Sequence, residues 1–164
     1  MRGLVVGRFQ PLHGGHVQLI RQALDGCGSV VVAVGSSTEP PSLRNPFTFE
    51  ERRAMLDAAF PKIQVVGVPD LNDDARWAAH CLALTGPVDR AYGNDPHSLD
   101  LLAAAGVRTV SSGLVRRSAW EGSHVRELLA NGDPAWRQRV PPAVVGLLDE
   151  WDAPGRLRKL AQAS

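Results

Sequence analysis

Five short, valine-rich apolar segments constrain the fold of this chain more than any other feature of its sequence. They are residues 4–6, 30–34, 63–68, 88–92 and 107–110. Each is apolar nearly throughout, which is typical of strands that are covered on both faces of a sheet. Because stretches with helical spacing separate them, we expect an α/β fold with a doubly wound, five-stranded parallel sheet.

The stretches between these segments carry helical signals. Three have the apolar spacing of helices: residues 15–24, 75–84 and 98–105. A fourth opens with a capping-box pattern, in which Thr48 is followed three residues later by Glu51. The apolar stripe after this pair continues until Pro61, which stops the helix.

The pattern changes after residue 110, where helical signals follow one another without a strand between them. We expect a helix over residues 123–129 opened by Ser123 as N-cap, a short helix beginning at Pro134, another beginning at Pro141-Pro142, and helical residues 156–159. Since no linker or repeat divides the chain, we predict one domain over residues 1–164. It consists of an α/β core (1–112) and a helical C-terminal extension (113–164).

Composition sets limits on partners and location. The formal net charge is +1, so bulk charge indicates neither nucleic acid nor a membrane as a partner. No apolar run approaches the roughly 18 residues of a membrane span, and the N-terminal run is too short for a signal peptide. We therefore expect a cytoplasmic protein with Cys27 and Cys81 as reduced, buried thiols. The sequence leaves a homo-oligomer open.

The densest chemical signal is the string GRFQPLHGGH, residues 7–16, between the first strand and the first helix. Ligands of open α/β sheets bind beyond the carboxyl ends of strands. Gly14 and Gly15 allow close backbone approach, and a helix start offers N–H groups to phosphate oxygens. His13 and His16 are spaced so that both imidazoles can converge on one anion. Two solvated loop histidines are the alternative, but the combination with two glycines and an arginine favours phosphate binding.

A second signal is Ser123-His124-Val125-Arg126. With Ser123 as N-cap, an oxyanion at the helix start would meet the helix dipole, a hydroxyl and the guanidinium of Arg126 together. An ordinary capped helix with an exposed arginine explains the same residues. The order of this motif after the paired histidines is what favours the functional interpretation.

These two motifs carry a resemblance. His13-Gly14-Gly15-His16 resembles the H-x-G-H signature of the nucleotidyltransferase superfamily, and residues 123–126 match its S/T-x-x-R element. The longer string GRFQPLHGGH is similar to that of archaeal-type nicotinamide-nucleotide adenylyltransferases. No Walker A or G-x-G-x-x-G sequence is present. The resemblance implies a Rossmann-like nucleotidyltransferase fold and transfer of AMP from ATP to nicotinamide mononucleotide, giving NAD and pyrophosphate.

The resemblance also implies site residues. The expected catalytic residues are His13, His16, Arg44 and Arg126; the expected ATP-binding residues are Gly7, Arg8, Phe9, Gly15 and Ser123; and the expected mononucleotide-binding residues are Trp77, Asp74 and Asn94. Asp74 departs from the amide residue expected at its position, which puts its contact with the carboxamide in doubt. Turn formation alone also explains residues 93–96.

Other arginines have weaker signals. Arg52 and Arg53, on the helix after Thr48, are expected to be solvated or ion-paired. Arg116 and Arg117 are expected in a loop, where they either hold the second substrate's phosphate or face solvent.

The expected reaction is in-line attack by the mononucleotide phosphate on the α-phosphorus of ATP, without a covalent intermediate. Catalysis then rests on alignment and charge neutralisation. Mg²⁺ is expected on the triphosphate, without a dedicated set of protein metal ligands. The alternatives are a related enzyme that acts on phosphopantetheine or a flavin phosphate, or uses CTP, and a non-catalytic ATP or NAD sensor. A purely structural α/β subunit would not explain basic residues gathered on strand-end loops.

Overall fold

The computed structural model describes residues 1–111 and 115–163, with the side chains of residues 115–120 excepted. Five parallel strands form one sheet in the order β3-β2-β1-β4-β5. The strands are β1 (Arg2–Gly7), β2 (Ser29–Val34), β3 (Gln64–Gly67), β4 (Arg90–Gly93) and β5 (Arg108–Ser111). The five-stranded parallel sheet expected from the apolar segments is confirmed.

The helices follow the strands in alternation and then continue alone. They are α1 (Gly14–Cys27), α2 (Phe49–Ala59), α3 (Asp74–Thr85), α4 (Pro96–Ala104), α5 (Val115–Ala130), α6 (Pro142–Glu150) and α7 (Ala153–Ala163), with a 3₁₀ helix (Pro134–Gln138) between α5 and α6. The capping box of α2 forms as expected: the Thr48 hydroxyl accepts from the Glu51 N–H at 3.1 Å, and the Glu51 carboxylate accepts from the Thr48 N–H at 3.0 Å.

Successive residues of a strand point to opposite faces, and each face has its own core. On one face, Val30, Val32 and Val34 of β2 pack with buried residues of α1, α2 and the C-terminal helices. On the other, Val31 and Ala33 pack with buried residues of α3 and α4. The sheet is therefore doubly wound. Cys27 and Cys81 are free and buried, one on each face, as expected.

One helix boundary differs from the expectation and matters for the site. α5 begins at Val115, so Ser123 lies within the helix and is not its N-cap. Residues 115–121 contain no helix breaker, and a single glycine at position 122 costs only about 1 kcal/mol relative to alanine. The prediction of a helix dipole aimed from Ser123 is therefore wrong. The loop expected around Arg116 and Arg117 is also wrong, because their backbone is helical, and their side chains lie outside the described residues.

The C-terminal helix α7 is tied to the segment that precedes α2. Arg156 donates to the Glu51 carboxylate at 2.6 Å and to the Pro46 carbonyl at 3.3 Å, and its guanidinium lies over the Phe47 ring. Burial alone would raise the pKa of Glu51, but the hydrogen bonds from Arg156 and Thr48 outweigh it and lower that pKa. In the described part of the chain, no helix combines the length and the apolar character that crossing a bilayer requires.

Candidate active site

The site lies at the carboxyl edge of the sheet, beside its central strand. β1 pairs with β2 on one side and with β4 on the other, so the chain order reverses there. Such a reversal opens a crevice beyond the strand ends, where open α/β sheets bind ligands. The segment between β1 and α1 ends at His13, and His16 lies in the first turn of α1, so both histidines of the H-x-G-H motif are at this edge.

The two histidines form the N-terminal cap of α1. His13 is the N-cap, and its Nδ1 accepts from the Gly15 N–H at 3.1 Å. His16 reaches back, so that its Nδ1 accepts from the His13 N–H at 3.2 Å. The two rings are stacked, with centroids 3.8 Å apart and planes 25° apart. The spacing thus brings the two rings together in a reciprocal cap, in which both rings act where Ser and Glu usually do.

These hydrogen bonds fix the tautomer of both rings. A neutral imidazole carries one proton, and a ring whose Nδ1 accepts from a backbone N–H carries it on Nε2. Burial, together with the nearby His13 and Arg126, lowers the pKa of His16 well below its usual range. His16 is therefore neutral at pH 7 and has an Nε2–H group to donate.

The helix start itself offers less to a ligand than expected. The Gly14 N–H donates to the Arg139 carbonyl at 3.0 Å, and the Gly15 N–H is taken by His13. Both amides therefore already have a partner within the chain. Gly15 is buried and serves the cap.

The Phe9 ring packs against His16, and Gly7 leaves room for that ring. The Phe9 ring is 1% exposed, and its centroid lies 4.5 Å from that of His16. A Cβ on Gly7 would lie 3.0 Å from the Phe9 ring, so glycine is needed for this packing. Phe9 was expected to bind ATP, but its ring is in the core. Its side chain can act on a ligand only through the position of His16.

Arg126 reaches the same loop from α5. Its Nη1 donates to the Gln10 carbonyl at 3.0 Å, and its Nη2 donates to the Ser123 hydroxyl at 3.3 Å. A Cβ on Gly122 would lie 3.3 Å from the Arg126 Nη1 and 3.7 Å from the His13 Nε2. Guanidinium and imidazole therefore flank one glycine, and the two motifs meet in space.

Three guanidinium groups act on one another at this edge. Burial and the charges of Arg8 and Arg44 lower the pKa of Arg126 to about 10. Burial and Arg44 lower the pKa of Arg8, against opposing effects of Asp70 and Asp95. Arg8 also donates to the Asn45 side chain at 3.3 Å, whereas Arg44 is exposed. Positive charges that act on one another in this way are stabilised by an anion placed among them.

The residues expected to bind a mononucleotide lie on α3 and after β4. Trp77 is partly exposed and packs against the core beneath α3 and α4. Asp74, in the first turn of α3, is exposed and lies 3.1 Å from His97 Nε2, so its carboxylate already has a partner. Asn94 is partly exposed and directly follows β4, while the neighbouring Asp95 is the N-cap of α4.

Comparisons with known proteins agree with this arrangement. A family model described as cytidylyltransferase-like matches residues 4–118. A protein of Picrophilus torridus named nicotinamide-nucleotide adenylyltransferase is 34% identical over 168 residues, and the match covers 99% of each chain. A protein of the same name from Methanosphaerula palustris is 34% identical over 164 residues, covering 98% of this chain and 97% of the relative. The chain belongs to the nicotinamide-nucleotide adenylyltransferase family. The resemblance carried by GRFQPLHGGH is thereby confirmed.

Solved structures share the fold of this adenylyltransferase family member. A bifunctional NMN adenylyltransferase/ADP ribose pyrophosphatase from Francisella tularensis, complexed with AMP and a manganese ion, matches with a TM-score of 0.77 at 18% identity. The match covers 97% of this chain and 51% of that chain. The NadR protein in complex with NAD and AMP-PNP matches with a TM-score of 0.60 at 20% identity, covering 77% of this chain and 40% of that chain. The nucleotidyltransferase fold is therefore confirmed.

Two residues that bind the backbone around this candidate site were missed by sequence reasoning. The Gln10 side chain is 3% exposed and pairs with the Phe47 backbone through two bonds of 3.0 Å. Arg52 was expected to be solvated or ion-paired, which is wrong, because it is 1% exposed and donates to backbone carbonyls. The signal was present: Arg52 precedes the buried Met55 and Leu56 by three and four residues, on the same helix face. Arg53 is exposed and pairs with Asp57, as expected.

Among the described side chains, no group of three or more His, Cys, Asp and Glu residues could hold a metal ion. The acidic groups that act on Arg8 are Asp70, which accepts from the Ser36 hydroxyl at 2.8 Å, and Asp95. This donor set fits a divalent cation that takes most of its ligands from phosphate and water.

Proposed function

We propose that this chain transfers AMP from ATP to nicotinamide mononucleotide, giving NAD and pyrophosphate. An oxygen of the mononucleotide phosphate forms a bond to the α-phosphorus of ATP while the bond to the β-phosphate oxygen breaks on the opposite side. The attacking phosphate is already anionic, so the reaction needs neither a protein nucleophile nor a strong base. What it needs is alignment of two polyanions and stabilisation of the pyrophosphate that leaves.

The observation that carries this proposal is the meeting of the stacked histidine pair with Arg126 beside two further arginines. In our assignment, His16 donates from Nε2 to the α-phosphate, and His13 donates to the neighbouring phosphates. A neutral donor fits the α-phosphate, where charge is redistributed during transfer and no proton needs to move.

The arginines serve the rest of the triphosphate. Arg126, with Ser123, is assigned to the β- and γ-phosphates, and Arg8 and Arg44 hold the triphosphate and stabilise pyrophosphate as it leaves. A guanidinium is suited to this because it donates two parallel hydrogen bonds to phosphate oxygens and stays charged. Gly7, Phe9 and Gly15 act indirectly, through the cap that holds both imidazoles.

A divalent cation, Mg²⁺ in our proposal, would accompany ATP and neutralise part of the triphosphate charge. A neighbour by fold is complexed with AMP and a manganese ion, which supports the use of a divalent metal. Among the described residues, Asp70 and Asp95 are the carboxylates that act on Arg8, and we assign them to a metal-bound triphosphate through charge and bound water. We further propose that the protein is cytoplasmic, forms a single domain and acts on small-molecule substrates.

On the acceptor side, Trp77 is assigned to the nicotinamide ring, with Asp74 and Asn94 nearby. The electron-rich face of an indole attracts a flat heteroaromatic cation, and the partly exposed Trp77 retains surface for such a contact. Because Asp74 already pairs with His97, we assign it a secondary part in carboxamide binding.

The reaction is tested by a coupled assay for NAD, together with pyrophosphate release, using purified protein, ATP, nicotinamide mononucleotide and Mg²⁺. We expect both products in equal amounts. Replacing the acceptor with nicotinic acid mononucleotide, phosphopantetheine or a flavin phosphate, and ATP with CTP, distinguishes the related enzymes. Nucleotide binding without any pyrophosphate would contradict the proposal and favour a sensor.

Replacing Trp77 with alanine is expected to raise KM for the mononucleotide by about tenfold or more, since stacking on an aromatic side chain contributes roughly 1–3 kcal/mol. KM for ATP should change by less than about twofold, because the arginines and histidines that hold it are unaltered. Steady-state kinetics with each substrate varied in turn measures both. Leu84→Ala, an exposed position on the same helix, is the matched control. Equal increases in both KM values would identify Trp77 as a packing residue.

A further inference from the structure

Arg52 is a large, fully buried side chain directly behind the site, and its guanidinium is bound to backbone carbonyls. Its Nη1 donates to the carbonyls of Arg8 at 3.0 Å and Gly35 at 2.7 Å, and its Nη2 donates to that of Ser36 at 3.1 Å. Its Nε donates to the carbonyl of Thr48 at 3.2 Å. The side chain is 1% exposed, so its donor groups are buried.

A buried cation in this position is costly, which makes its presence informative. Burial and the charge of Arg8 lower the pKa of Arg52 to about 10, against opposing effects of Asp70 and Glu50. Arg52 therefore stays charged at neutral pH. An apolar residue on this face of α2 would pack beside Met55 without any charge to desolvate. Stabilising the core alone does not call for an arginine here.

Three of the four bound carbonyls belong to the ends of two neighbouring strands, β1 and β2. Arg8 directly follows β1, and Gly35 and Ser36 directly follow β2. The Gly35 N–H also donates to the Gly7 carbonyl at 2.8 Å, so the two strand ends are joined twice. The planar fork of Arg52 sets the spacing and direction of the Arg8 backbone relative to β2.

We propose that Arg52 is a positioning residue for ATP: by holding the Arg8 carbonyl, it directs the Arg8 side chain toward the triphosphate. The proposal rests on the function proposed above, in which Arg8 binds the triphosphate. The far end of Arg8 is held by Asn45 at 3.3 Å, so its backbone is fixed by α2 and its guanidinium by the segment before α2. Arg52 itself touches no substrate.

Two variants separate its charge from its shape. Arg52→Lys keeps a cation but loses the fork, and Arg52→Met keeps most of the volume without charge or donors. For both we expect KM for ATP to rise by about tenfold or more, with KM for the mononucleotide changed by less than about threefold. Binding of the β,γ-imido analogue of ATP, measured by calorimetry, should weaken in parallel. Arg53→Lys, exposed on the same helix, is the control and should match the wild type in both measurements.

A double-mutant cycle with Arg8→Ala then decides whether Arg52 acts through Arg8. If it does, Arg52→Lys should have little further effect on analogue affinity once the Arg8 side chain has been removed. An effect that is unchanged in the Arg8→Ala background would overturn the proposal. So would failure of both Arg52 variants to fold, because Arg52 would then stabilise the whole chain. The calorimetric measurement needs no turnover, so a wild-type protein that binds the analogue without forming NAD refutes the proposed function and leaves this test intact.

Discussion

His16→Ala is expected to lower kcat for NAD formation by about 100- to 1,000-fold, the usual cost of removing one preorganised donor from the charge that develops in a transition state. KM for ATP should change little, because the arginines that hold the triphosphate remain. We expect kcat to fall without a change in KM because the His16 Nε2–H contact strengthens as the α-phosphorus is attacked. Steady-state kinetics measures both parameters, with Gln18→Ala, exposed on the same helix, as the control.

Loss of the cap is the alternative cause of low activity, since His16 also accepts from the His13 N–H. His16→Gln can restore that reciprocal cap without presenting the imidazole Nε2–H, so we expect it to recover the melting temperature and to keep a low kcat. The pH profile gives a second check. Because the pKa of His16 is depressed, the ring is already neutral at pH 7, and kcat should not fall as the pH rises from about 7 to 8. Wild-type-like activity in His16→Ala would refute the assignment.

Arg126→Ala is expected to lower kcat/KM for ATP by about 100-fold or more, because a hydrogen bond to a charged group contributes roughly 1.5–3 kcal/mol and Arg126 can donate two to phosphate. Much of this decrease should appear as a higher KM for ATP, while KM for the mononucleotide changes far less. Arg126→Lys should recover part of the affinity, since it restores a charge without the planar fork.

The matched control is Arg158→Ala, an exposed arginine on α7. The Arg126 substitution also leaves the Gln10 carbonyl without its donor, so melting temperatures must accompany the kinetics. A variant that melts like the wild type and has unchanged kcat/KM for ATP would remove Arg126 from the site. Equal losses for both substrates would show that it organises the crevice without binding the triphosphate.

The fold was predictable from the sequence because burial on both faces leaves a strong local pattern. The strands are recognisable as continuous valine-rich runs, and the Thr48–Glu51 cap is specified within four residues. Helix boundaries were harder to place, because the apolar pattern of a helix does not mark its first residue. α4 begins two residues before the prediction because Asp95 caps it, and α5 begins eight residues before Ser123 because nothing in that stretch stops a helix.

The site was predictable where its chemistry is local in the chain. His13 and His16 are three positions apart, and their pairing with Arg126 follows from motif order. The roles that depend on tertiary burial were not. Arginine is usually found at the protein surface. Arg52 is buried instead, because its guanidinium donates to backbone carbonyls at the ends of β1 and β2. The sequence around Phe9 does not show whether its ring binds a ligand or packs in the core. In the structure the ring is buried and packs against His16.

The bond from Arg126 to the Gln10 carbonyl joins positions 116 residues apart, and the Gln10 side chain is in turn paired with Phe47. Gln10 thus connects three stretches that are far apart in the chain: its own loop, the segment at Phe47 and helix α5. Closing so long a loop has an entropic cost that is repaid only when the contacts on both sides have formed. All five strands precede Arg126 in the chain, so the sheet does not need this contact, whereas the candidate site is complete only once α5 has packed against the segment between β1 and α1.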